Sequence, residues 1–159
     1  MYNVRHLENK FLDEIKKHII LALPKITYVN FRQSTPIEDK KLSFDMIFTS
    51  KFKISIRIRK HKYLYFNDLT IRSKSKNNKK TEIHKIMHSE VQIYFYAYMN
   101  EEEDSFVRIR IIDINAIKEL TKKGKYKNKK NSDGTEFYTY LFSEIEKENG
   151  NIYKYDLNK

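Results

Sequence analysis

Arg57 and Arg59 alternate with Ile56 and Ile58, and Arg72 follows Ile71 a short distance on. A guanidinium is always charged and presents a planar fork of donors, the geometry that grips phosphate oxygens. These arginines sit in a strongly basic stretch. Between Lys51 and Lys85 lie twelve Lys or Arg against two acids, Asp68 and Glu82. Solubility alone does not require charges of one sign so concentrated. Arg57, Arg59, Lys60, Arg72, Lys74, Lys76, Lys79 and Lys80 are therefore the candidate phosphate-contacting residues. A merely solvated face is the alternative. A second basic run spans Lys118 to Lys130.

Other chemistry finds less support. His84 and His88 stand four apart at a helical, zinc-compatible spacing, but no third ligand is apparent and the sequence holds no Cys. No Gly-rich phosphate loop occurs, and no Ser-His-Asp arrangement can be argued. Tyr94, Tyr96 and Tyr98 read either as a half-buried sheet face or as a base-stacking platform. The formal net charge of +11 on 159 residues favours a polyanionic partner. An acidic protein surface would satisfy that charge equally well.

The elements that must position these residues follow from periodicity. Leu7, Phe11, Ile15 and Ile19 recur every four residues, so Val4 to Leu23 reads as an amphipathic helix ended by Pro24. Lys25 to Phe31 allows a short strand, and Ser43 to Phe48 alternates. Lys53 to Lys60 alternates almost perfectly, with Ile54, Ile56 and Ile58 inward and Ser55, Arg57 and Arg59 opposite. Asp68 to Lys74 reads as a third strand that places Thr70 and Arg72 on one face, followed by a basic loop to Lys80. Thr81 reads as the N-cap of a helix reaching about Ser89. Gln92 to Tyr98 and Phe106 to Ile114 read as hairpin strands, Ala116 to Leu120 as a short helix, and Lys122 to Gly134 as loop. The periodicity does not settle the elements of Glu136 to Tyr155. The resulting fold class is α/β, a mixed central sheet flanked by helices with core order αβββαβ. One domain over residues 1–159 is expected, with a core at about 4–98 and a C-terminal extension at 99–159.

That order resembles the core of the PD-(D/E)XK, or restriction-endonuclease-like, nuclease superfamily over roughly Val4 to Tyr98. The resemblance implies a metal-binding acid on one strand and an acid-x-Lys pair on the next. Asp45 sits where the first acid belongs, but Arg57 and its neighbours stand where the second acid is expected. Some members supply that acid from the following helix, which makes Glu82 the matching residue, with Lys85 one turn on. Glu8 can add a distant ligand. The implied cofactor is Mg²⁺ or Mn²⁺ held by Asp45 and Glu82, with Arg57 and Lys85 completing the catalytic set. Taken singly, Asp45 also reads as an exposed strand residue and Glu82 as a first-turn carboxylate facing the helix dipole. The strings Thr70–Ser73, Thr81–Ile86 and Tyr94–Tyr98 are similar to those of phage-borne proteins, which implies a mobile-element origin.

Two functions follow. One is a metal-dependent endonuclease or junction resolvase that hydrolyses phosphodiester bonds. The other is a catalytically inactive binder of nucleic acid or of a partner protein, of phage counter-defence type, on the same scaffold. The expected partner is DNA or RNA, with no membrane, and a homodimer is left open. The lack of Cys and of a secretory leader points to the cytoplasm of a bacterial or phage-infected cell.

Overall fold

A strand that alternates Ile with polar residues must bury one face. The third strand, β3 (Phe52–Arg59), aims Ile54, Ile56 and Ile58 at helix α1 (Leu12–Ala22). The structure is a computed structural model that describes residues 10–23, 32–33, 46–49, 52–77, 79 and 81–157. In the central sheet β2 (Met46–Thr49) runs antiparallel to both of its neighbours, β1 (Arg32–Gln33) and β3. Beyond β3 come β5 (Ile93–Met99), β6 (Phe106–Asp113) and β9 (Asn151–Asp156), in the order β1-β2-β3-β5-β6-β9. Only β3 and β5 pair in parallel, with Arg57 beside Tyr96 and Arg59 beside Tyr98. The other neighbours are antiparallel, including the expected β5–β6 hairpin. The central sheet is mixed and flanked by helices, as expected, and the strands of it that precede β5 in the chain are β1, β2 and β3.

Every residue of β5 is buried, because layers cover both faces of the sheet. On one side Phe95, Ala97 and Met99 join Ile54, Ile56 and Ile58 against Phe11, Ile15 and Ile19. On the other, Tyr94, Tyr96 and Tyr98 meet α2 (Glu82–Met87), α3 (Ile114–Lys122), α4 (Phe142–Lys147) and a second, smaller sheet. Sealed in this core at 1% exposure or less, the three tyrosines cannot serve as a stacking platform. The half-buried alternative for that face is nearer the mark.

The smaller sheet corrects two expectations. Its strands are β4 (Asp68–Lys74), β8 (Glu136–Leu141) and β7 (Lys127–Lys130), all antiparallel in the order β4-β8-β7. Asp68–Lys74 is thus a strand, but not of the central sheet. The free side of β3 is already taken by β5. A six-residue 3-10 helix, His61–Phe66, followed by Asn67 in the left-handed region (φ 50°), swings the chain into the second layer. Residues expected as loop, Lys127–Lys130, form β7. An Asp133-Gly134 turn closes its hairpin with β8: the Gly134 N–H bonds Asn131 O at 3.1 Å, and Gly134 has φ 84°.

The C-terminal elements are locked by close packing at Gly150. A Cβ there would run into Ala116 Cβ and lie 2.8 Å from Ile145 Cγ2 and 3.0 Å from the Ile145 carbonyl oxygen. The neighbouring backbone is fixed by hydrogen bonds from Gly150 N–H to Ile145 O and from Asp113 N–H to Gly150 O. Gly150→Ala is expected to destabilise by about 1–3 kcal/mol, the usual cost of overpacking, measured as a lower urea midpoint at unchanged slope. No helix among the described residues is long and apolar enough to cross a membrane.

Candidate nucleic-acid interface

A strand at a sheet edge presents N–H and C=O groups that need partners. β4 is such an edge, and its free side faces β3. There Arg57 Nη1 donates to Thr70 O at 2.9 Å, while Glu82 Oε2 accepts from the Arg72 N–H at 3.0 Å. Arg57 Nη1 and Glu82 Oε2 are themselves 2.9 Å apart. The ion pair stands where another strand would stand, and it clips the small sheet to the central one. Tyr94 of β5 donates its hydroxyl to the other Glu82 oxygen at 3.2 Å. Thr81 occupies the N-cap position of α2, but its hydroxyl donates to Ser73 O and so ties the helix start back to β4.

The pair is poorly hydrated, with side chains 18% and 28% exposed. Burial alone would raise the Glu82 carboxyl pKa. The Arg57 charge, the Arg72 N–H and the Tyr94 hydroxyl outweigh it and hold Glu82 below the ordinary carboxylate value. Arg57 is likewise desolvated, yet the Glu82 charge holds its pKa above that of free arginine. Both groups are ionised at neutral pH.

This arrangement bears directly on the metal expectation. Both Glu82 oxygens already accept hydrogen bonds, three in all from cationic or N–H and O–H donors. Among the described residues no three acid or histidine side chains gather to hold an ion. Glu82 and its described neighbours therefore do not fit a Mg²⁺ or Mn²⁺ site. Asp45, Glu8 and Lys80 lie outside the described residues. Lys85 does not reach a solvent-facing position beside Glu82, being 6% exposed on the inner side of α2. His84 and His88 are exposed neighbours, with the His88 Nδ1 2.7 Å from the His84 carbonyl oxygen.

The strip expected from Arg57, Arg59 and Arg72 is divided between two layers. Arg57 is committed to Glu82, Arg59 lies over the Tyr63 ring at 4.1 Å, and Lys60 pairs with Glu103 at 2.8 Å. Arg72, Lys74, Lys76 and Lys79 instead project from the end of β4 and the turn after it, all exposed. Lys74 leans on Glu136 at 3.6 Å, and the turn is closed by Ser75 Oγ accepting from the Lys79 N–H at 2.7 Å.

The small sheet adds cations that a residue-by-residue reading omits. Cross-strand register places Arg72, Phe137 and Lys129 in one row, and Thr70, Thr139 and Lys127 in the next row on the same face. Every residue of β7 is exposed. Lys129 reaches Asp68 at 3.3 Å and lies 4.7 Å from the Phe66 ring centroid. The available signals are the lysines of Lys127–Lys130 and the Asp133-Gly134 turn. Together the cations of β4, its turn and β7 outnumber Asp68, Asp133 and Glu136. The result is an outward face of net positive charge, built on the small sheet and the turn that follows β4.

No protein-family model matches the chain, and no curated protein matches it. Among solved structures, it is similar to a nuclease from a fusselovirus. That likeness covers 86% of this chain and 88% of the other, at 16% identity and a TM-score of 0.40.

Proposed function

We propose that the protein binds the phosphate backbone of nucleic acid across the outer face of the β4-β8-β7 sheet. One observation carries this reading: Arg72, Lys127 and Lys129 share a face, and Lys74, Lys76, Lys79 and Lys130 surround its end. Phosphate contacts of this kind position a strand without reading its sequence, and they release counterions. Affinity for DNA or RNA should therefore fall linearly on a log–log plot against salt. Lys127→Glu combined with Lys130→Glu should flatten that slope by about two, since each phosphate that a cation neutralises contributes roughly one unit. Fluorescence anisotropy across a salt series checks this. Salt-independent affinity, or a slope unmoved by the double variant, rejects the assignment. The setting is the cytoplasm of a bacterial or phage-infected cell.

A second reading, metal-dependent phosphodiester hydrolysis, is supported by the mixed, helix-flanked central sheet, and it needs acids other than Glu82, whose oxygens are already engaged. It assigns an essential role to Asp45. Incubation of duplex, branched and single-stranded substrates with Mg²⁺ or Mn²⁺ should give cleavage that Asp45→Ala abolishes. Equal background in both proteins removes the catalytic reading and leaves binding.

A further inference from the structure

Resting on the binding assignment above, we propose that the preferred ligand is a strand with unpaired bases, one of which stacks on Tyr65 at the mouth of a basic cleft. The 3-10 helix His61–Phe66 carries the sequence His-Lys-Tyr-Leu-Tyr-Phe on the surface. Tyr65 is 75% exposed and Phe66 41%, an unusual display of two large rings side by side. They stack on each other with centroids 4.1 Å apart, so Phe66 backs Tyr65 and holds its plane. Lys129 lies over Phe66, which makes the aromatic pair continuous with the basic face of the small sheet.

Tyr65 also lines a cleft of about 690 Å³ between the 3-10 helix, α4 and β9. That volume is in the range of small-molecule sites and accommodates a nucleotide. Its walls include His61, Lys62, Arg108 and Arg110. Arg108 Nε donates to Asp156 Oδ1 at 2.8 Å, and Arg110 Nη2 donates to both Asp156 oxygens at 3.0 and 2.8 Å. Two guanidiniums thus share one carboxylate, and the wall keeps a net positive charge. Phosphate-binding lysines, an exposed ring and a cation-lined recess therefore lie end to end.

A duplex keeps its bases stacked on one another and cannot offer a π-face to Tyr65, whereas a single strand can. Binding of a short single-stranded oligonucleotide containing 2-aminopurine, in DNA and RNA versions, should be compared with that of the blunt duplex of the same length. The wild-type protein is expected to prefer the single strand and to quench the 2-aminopurine. Tyr65→Ala should lose roughly ten- to a hundredfold in single-strand affinity, the range of one base–aromatic stack, and Tyr65→Phe should retain it. Duplex affinity should be unchanged in both variants. Equal affinity for the two forms, or a Tyr65→Ala protein that binds and quenches like the wild type, overturns the stacking proposal while leaving backbone binding intact. Failure to bind either form at low salt overturns both.

Discussion

Arg57→Ala is expected to lower the folding stability by about 3–5 kcal/mol, the cost of leaving one member of a desolvated ion pair without its partner. Three losses coincide. Glu82 keeps its charge in a site that burial disfavours, Thr70 O loses its donor, and the two sheets lose their clip. Glu82→Gln keeps the shape and an acceptor for the Arg72 N–H, so it should cost less, roughly 1–3 kcal/mol. Because the Glu82 pKa is depressed in the folded state, its contribution is fully present above the unfolded carboxylate value. It drains away as pH falls through the folded value. Urea titrations between neutral and acid pH should therefore show a steep acid loss in the wild type and a shallower one in Glu82→Gln. Identical pH profiles would remove the clip from the account of stability.

Asp156→Ala should produce an effect of similar size, about 2–4 kcal/mol, at the β6–β9 side of the central sheet. The Asp156 carboxylate accepts from Arg108 and twice from Arg110, and the Arg110 side chain is only 9% exposed. Burial works against the carboxylate charge, but the two arginines prevail and lower its pKa. Without it, Arg110 is left among the described residues with the backbone carbonyls of Ile109 and Tyr155 as its hydrogen-bond acceptors, and the hold of β9 on β6 weakens. Thermal melts with hydrogen exchange on β9 amides check this. Loss of protection should appear first in Asn151–Asp156.

The central sheet is legible because its strands carry strong patterns. Ile54, Ile56 and Ile58 disclose both the strand and its buried face, and the run from Ile93 to Met99 is apolar or aromatic at every position, the mark of a strand covered on both sides. The second sheet is not legible in the same way. β7 holds no apolar residue, so it has no hydrophobic period; only backbone bonding to β8 makes it a strand. Nor does alternation say which sheet a strand joins, so the pattern of Asp68–Lys74 alone sets it beside β3. For the candidate site, residue types identify the anion preference but not its location. Arg57 and Glu82 are 25 positions apart, and nothing local reveals that each is the other's partner. The commitment of Arg57 to Glu82 leaves Arg72 and the lysines of β7 as the outward-facing cations, on which the proposed phosphate contacts rest.

The outermost strand of the small sheet spells Lys-Asn-Lys-Lys along its whole length. A second molecule attempting to extend the sheet at that edge would bring its own ammonium groups against these, at a spacing of roughly 5 Å between strands. The same lysines that are proposed to meet a polyanion thus disfavour strand-to-strand pairing between copies of the chain at that edge. A bound nucleic acid, by neutralising them, would remove this guard against fibre-like growth at that rim.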